Sequence, residues 1–141
     1  MRVKASDLPP EVRASLNIPA KGKARFKRHK PGEMNETEKA FSERLEQRLL
    51  SGEIMGYWFE CIKLKLADNT FYTPDFFVVL ADGTAEFWEV KALWKNGSSW
   101  QDDAKVKSKV AIDKFWPFVF RVAYGRKLPK KAGGGWEWKE E

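Results

Sequence analysis

The spacing of hydrophobic positions changes several times along this chain of 141 residues, and each change marks an element. After Asn35, the apolar residues Phe41, Leu45 and Leu49 recur at helical spacing. This predicts a helix capped by Asn35 and stopped after about Leu50 by Ser51-Gly52. Three stretches rich in aromatic and β-branched residues follow, roughly residues 57–66, 71–80 and 85–91, and they read as strands. The links Ala67-Asp68-Asn69 and Ala81-Asp82-Gly83 form turns, so an antiparallel meander is expected. Residues 102–115 return to helical spacing through Ala104, Val106, Val110, Ala111 and Phe115. Pro117 ends that helix, and Phe118 to Tyr124 predicts a fourth strand.

The order helix, three strands, helix, strand is that of an α/β domain. A last strand arriving through a helical crossover can pair in parallel with an earlier one, giving a mixed sheet flanked by helices. This core spans residues 35–125. Residues 1–34 hold four prolines and two glycines and show little periodicity, apart from a short helix expected around Asp7 to Ser15. Residues 126–141, with Gly133-Gly134-Gly135, read as a loose C-terminal tail.

Charge separates the arm from the core. Residues 1–33 carry nine Lys/Arg against three Asp/Glu, whereas residues 34–141 carry 17 of each sign. The whole net charge of +6 therefore sits in the arm, around Lys21, Lys23, Arg25, Lys27, Arg28 and Lys30. A basic arm on a neutral body suits a polyanion such as DNA, or serves as a solubilising tail. No apolar run is long enough for a membrane helix and no signal-peptide core is present, so a cytoplasmic location without membrane contact is expected. One cysteine (Cys61) and one histidine (His29) argue against an internal disulfide, a thiolate zinc site and a catalytic triad. A metal would have to be held by oxygen, which favours Mg²⁺, with Mn²⁺ as a substitute.

Four residues carry the candidate chemistry. Glu38 lies three positions before Phe41 and shares the inward face of the first helix, although it could equally close a capping box with Asn35. Asp75 follows Pro74 at the start of a strand, and Glu89 and Lys91 end the next one. A two-residue Asp82-Gly83 turn would put Asp75 and Glu89 on opposite faces. A three-residue loop, Ala81-Asp82-Gly83 with Gly83 left-handed, would pair Leu80 with Thr84 and set the two acids opposite each other; this register is expected here. Alternation then brings Lys91 to the face of Glu89. Opposed carboxylates with Cβ atoms about 4.5–5.5 Å apart repel unless a cation lies between them. Mg²⁺ suits that place and would activate a water for attack on a phosphodiester, with Lys91 orienting or deprotonating that water or neutralising charge on phosphorus. The alternative for Glu89 and Lys91 is a solvated cross-strand charge pair.

YTPDF followed by WEVK, preceded by a helix glutamate, resembles the PD-(D/E)XK nuclease superfamily. More closely, NETEKAF, IKLKLADNTFYTPDFFVVLADGTAEFWEVK and DDAKVKSKVAIDKFWPF resemble a small phage-encoded family long carried as a domain of unknown function; the likeness covers about residues 34–124. The resemblance implies a restriction-endonuclease-like core with catalytic residues Glu38, Asp75, Glu89 and Lys91. Asp75, Glu89 and the main-chain carbonyl of Val90 would be metal ligands, and Glu38 would act on the metal directly or through water. It also implies phosphate contacts from some of Lys105, Lys107 and Lys109, a homodimer, and the host cytoplasm as location if the chain is phage-encoded. Close relatives are expected to have glycine after the lysine; here Ala92 stands there and narrows backbone approach.

The function expected is a Mg²⁺-dependent DNA endonuclease selective for branched DNA such as Holliday junctions. Trp94 and Trp100 bracket a polar loop after the catalytic strand and suit either base stacking or cover for the core. The rival readings are a non-catalytic DNA-binding accessory protein on a nuclease scaffold and a protein-interaction module.

Overall fold

The computed structural model describes Glu11, residues 32–98 and residues 100–141. The basic arm from Lys21 to Lys30 and, Glu11 apart, the short helix expected around residues 7–15 lie outside them.

The first helix, α1 (Glu36–Leu50), begins on a reciprocal cap. The Asn35 side chain accepts from the Glu38 backbone N–H at 2.9 Å, and the Glu38 carboxylate accepts from the Asn35 N–H at 2.8 Å. Phe41 and Leu45 of this helix are fully buried. Strands β1 (Ile54–Phe59), β2 (Leu64–Ala67), β3 (Thr70–Tyr72), β4 (Phe76–Leu80), β5 (Ala85–Trp94) and β6 (Gly97–Ser98) follow. Then come α2 (Asp102–Lys114), β7 (Val119–Lys127), a 3₁₀ turn (Lys130–Ala132) and β8 (Trp136–Glu140).

The main sheet runs β1-β4-β5-β7-β8, with β6 added to the end of β5. Strands β1, β4 and β5 pair antiparallel, and β7 returns through α2 to lie parallel to β5. The fold is a mixed α/β domain whose sheet carries two helices among the described residues. Alternation along the central strands divides the core. Phe76, Val78, Trp88 and Val90 pack with Phe41 and Leu45 of α1, while Phe87 packs with Ala111 of α2 and with Leu64, Leu66 and Tyr72.

Two expectations are corrected. Residues 57–66 and 71–80 do not form two continuous strands. Glu60 takes a left-handed conformation (φ 44°), which turns the chain out of the sheet, and the Thr73-Pro74-Asp75 segment separates β3 from β4. Strands β2 and β3 therefore form their own hairpin, turned at left-handed Asn69 and covered by α2; the Lys114 ammonium holds the Leu66 carbonyl at 2.9 Å. The second correction concerns residues 126–141, which are not a loose tail. Strand β8 pairs antiparallel with β7, and Trp138 packs on Phe41 with ring centroids 5.3 Å apart. Gly125 makes this possible, because a Cβ there would meet the Trp138 ring at 2.6 Å and the Thr37 methyl at 3.0 Å.

No helix among the described residues is long and apolar enough to cross a membrane.

Candidate active site

The β4–β5 hairpin has the three-residue loop that brings the acids together. The Leu80 N–H donates to the Thr84 carbonyl at 2.8 Å, the Gly83 N–H donates to the Leu80 carbonyl at 2.9 Å, and Gly83 is left-handed (φ 87°). Phe76 consequently faces Trp88. Continuing this register sets Asp75 opposite Glu89 and Pro74 opposite Val90. The ladder cannot continue normally there, because Pro74 has no N–H to offer the Val90 carbonyl. Asp75 takes over on the other side of the exchange: its Oδ2 accepts from the Val90 N–H at 2.7 Å. Its own carbonyl accepts from the Glu60 N–H at 2.8 Å, so main chain and side chain are both pinned.

Glu89 is buried, with its oxygens divided between two partners. Oε2 accepts from the Tyr72 hydroxyl at 2.6 Å, and Oε1 lies 2.6 Å from Lys91 Nζ. Lys91 Nζ also stands 4.7 Å from the centre of the Trp100 ring, whose indole N–H donates to the Tyr124 hydroxyl at 2.9 Å. The sheet thus aims the lysine from one side and an aromatic face supports it from another.

A pocket of about 290 Å³ opens where β4 leaves β5, lined by Glu38, Asp75, Val90 and Lys91 together with Asn35, Gln101 and Ala104. Glu38 is buried and closes the capping box while lining this pocket, so the cap does not remove it from the pocket. Burial pushes the Asp75 carboxyl well above its ordinary range. The Glu89 charge adds to this, the Val90 N–H and Lys91 oppose it, and the Glu38 charge raises it further. The Tyr72 phenol is also pushed far upward, first by burial and then by the Glu89 charge, its hydrogen bond to Glu89 and the Asp75 charge, with Ser108 acting in the opposite sense. Tyr72 therefore stays a donor to Glu89.

The Val90 N–H and Lys91 offset only part of the expected repulsion between the acids, since the Glu89 charge still raises the Asp75 carboxyl. The Glu89–Lys91 charge pair expected as the alternative does form, but largely buried rather than solvated. Among the described residues, no group of three or more His, Cys, Asp or Glu side chains is close enough to hold a metal ion. Glu89 does not line the pocket, since Tyr72 and Lys91 take its oxygens.

The expected DNA contacts fall in different places. Lys105 and Lys109 are exposed on α2, and Lys107 pairs with Asp103 at 3.3 Å. Trp94 is 60% exposed, whereas Trp100 is engaged by Tyr124 and Lys91. Tyr72, Ser108 and Tyr124 were not singled out from the sequence. A signal existed for Tyr72, because a buried tyrosine needs a partner for its hydroxyl and this one lies three residues before Asp75. Tyr72→Phe leaves a buried carboxylate oxygen without its donor and is expected to cost about 1–3 kcal/mol in urea unfolding. An unchanged unfolding midpoint would show that the hydroxyl does not hold Glu89.

Compared with protein-family models, curated proteins and solved structures, the chain matches none.

Proposed function

We propose that this chain is a divalent-cation-dependent DNA endonuclease with a PD-(D/E)XK, restriction-endonuclease-like core, selective for branched DNA such as a four-way junction. The observation that carries this reading is the shared pocket lined by Glu38, Asp75, Val90 and Lys91 at the break between β4 and β5.

The donors present fit Mg²⁺ or Mn²⁺. All are oxygens, and Asp75 uses Oδ2 for the Val90 N–H while no hydrogen bond among the described residues engages its Oδ1. Extending the β4–β5 register would set the Val90 carbonyl opposite Pro74, which has no N–H to give it. Burial first, and then the Glu89 and Glu38 charges, make ionisation of Asp75 costly, a cost that a divalent ion would offset. Asp75, the Val90 carbonyl and Glu38 (directly or through water) would hold the ion, and Glu89 would join them only by releasing Tyr72 or Lys91. Bound there, it supplies Lewis acidity that eases deprotonation of a water and offsets charge growing on the phosphate.

The protein's own groups do the rest. Lys91, fixed by Glu89 and by the Trp100 face, presents a positive charge to the pocket, where it can orient the attacking water and stabilise the phosphate as it gains charge. Tyr72 holds Glu89 so that its charge keeps Lys91 in place. Two scissile strands call for two sites and hence a homodimer; Val106, Val110, Trp116 and Phe118 are exposed apolar side chains that a second copy would bury.

The direct test compares cleavage of a four-way junction, a duplex and a single strand in Mg²⁺, in Mn²⁺ and in chelator, for wild type and Asp75→Ala. Cation-dependent junction cleavage that disappears in the variant is expected. Cleavage surviving the substitution would place the chemistry elsewhere, and binding without cleavage would favour the accessory-protein reading.

Removing residues 1–33 takes away nine Lys/Arg. DNA binding should weaken, and its salt dependence should fall by about 0.9 in log–log slope for each phosphate that the arm no longer neutralises. A slope identical to that of the full chain would exclude the arm from DNA binding.

A further inference from the structure

We infer that a second pocket, adjoining the proposed catalytic one, receives an unpaired nucleobase next to the scissile phosphate. This inference rests on the endonuclease reading and specifies its substrate as DNA with an unpaired nucleotide beside the cut.

The pocket has a volume of about 530 Å³, and Thr37, Ala92, Trp94, Lys95, Lys127 and Trp136 are among its lining residues. That volume lies within the roughly 300–1,000 Å³ typical of pockets that hold small organic ligands. Its walls continue those of the catalytic pocket. Thr37 directly precedes Glu38 on α1, and Ala92 follows Val90 by two residues on the same face of β5. From Val90 to Trp94 is four residues along one face of the strand, about 13 Å, with Ala92 between them. A nucleotide whose phosphate sits at Lys91 therefore has this pocket within reach of its neighbour.

The lining matches a base with a phosphate trailing from it. Trp136 is a rigid wall: its ring stacks on Trp138 at 5.8 Å and 22°, and Trp138 is packed on Phe41. Trp94 is different. It pairs with Gly97 at the tight Lys95-Asn96 turn between β5 and β6, is 60% exposed, and makes no ring contact among the described residues. An indole held at a strand end with a free face is a platform for a flat aromatic ring. Around it, the cations Lys95, Arg126 and Lys127 outnumber the one acid, Glu36. Lys127 is paired with Glu36 and Arg126 with Glu137, while Lys95 has no ion pair among the described residues and is left for a phosphate. A base inside a continuous duplex has both faces stacked and its edge paired, so only an unpaired base can enter.

The experiment uses the full chain and fluorescence anisotropy in chelator, so that nothing is cut. It compares a continuous duplex, a fork with splayed arms and the same number of phosphates, and that fork with abasic residues flanking the branch. Wild type should bind the fork at least about tenfold tighter than the duplex, since base–aromatic stacking is worth about 1–3 kcal/mol per base. The abasic fork should lose that preference. Trp94→Ala, which removes the platform, and Ala92→Leu, which fills the pocket, should each bring the fork-to-duplex ratio close to one. Equal binding of fork and duplex by wild type, or a ratio unchanged in Trp94→Ala, overturns the inference. If Ala92→Leu melts early, Trp94→Ala and the abasic fork carry the test without it. Cleavage in Mg²⁺, measured separately, tells the two ideas apart. Cleavage without fork preference leaves the endonuclease and removes the base pocket. A fork preference that depends on Trp94, without cleavage, leaves the pocket and removes the hydrolysis.

Discussion

Asp75→Asn should abolish cation-dependent cleavage while making the cation-free protein more stable at neutral pH. An asparagine oxygen can still accept from the Val90 N–H, so the break between β4 and β5 keeps its tie. What disappears is a charge that burial, Glu89 and Glu38 all disfavour. The asparagine amide also offers donors to those two acids. Even changes to groups that only support metal ligands cost about 10–100-fold in affinity or activity, so losing a ligand should lower cleavage by more than about 100-fold.

The sign of the pH dependence follows from the same displacement. An unfolded aspartate titrates near 3.9, and the folded Asp75 carboxyl titrates above that. Between the two values the folded protein holds a proton that the unfolded chain has released, so stability falls as pH rises. The contribution of Asp75 is fully present below about pH 4 and is lost as pH climbs through the raised folded value. The stability advantage of Asp75→Asn over wild type should therefore grow with pH in chelator and shrink when Mg²⁺ is added. Urea unfolding across pH measures it. An asparagine variant destabilised at every pH would mean that the Asp75 charge is welcome without a cation.

Lys91→Met should carry the second large effect, on activity and stability together. It leaves the buried Glu89 carboxylate with the Tyr72 hydroxyl but no counter-charge. Breaking a buried pair from one side typically costs about 3–5 kcal/mol. The remaining tyrosine donor places the expected loss near the lower end, about 3 kcal/mol. Pairing Lys91→Met with Glu89→Gln removes both charges and should restore much of the stability. Cleavage should remain absent in the double variant and in each single one. A single Lys91→Met variant that unfolds at the wild-type urea concentration would show that the pair adds nothing to the fold.

Much of the framework was legible because it depends on local pattern. The α1 cap needs only Asn35 and Glu38. Gly83 suits two hairpin registers, and only the wish to oppose Asp75 and Glu89 selects between them in the sequence; that register is the one found. The parallel return of β7 follows from a helix placed between two apolar strands. What remained hidden depends on distant partners. Residues 57–66 look like one run of strand-forming sequence, and only the left-handed turn at Glu60 shows that the chain leaves the sheet. Strand β8 does carry an alternating pattern in WEWKE, but its pairing needs the edge of β7 and the gap at Gly125, neither of which lies nearby in the chain. Trp100 looked as free as Trp94 until Tyr124, from another strand, took its N–H. At the site, the four candidate residues could be named from the sequence. The arrangement of Tyr72, Glu89 and Lys91 could not, because β3 approaches Glu89 only after the β2–β3 hairpin has formed.

The most direct measurement is a Mn²⁺ titration of the full chain followed by electron paramagnetic resonance, with wild type beside Asp75→Asn. A cation site here predicts saturable Mn²⁺ binding by wild type, competed by Mg²⁺ and abolished in the variant, because Asp75 has an oxygen at the pocket that no hydrogen bond among the described residues engages. Equal Mn²⁺ binding by the two proteins, or none by wild type, would contradict a cation site at Glu38, Asp75 and Val90.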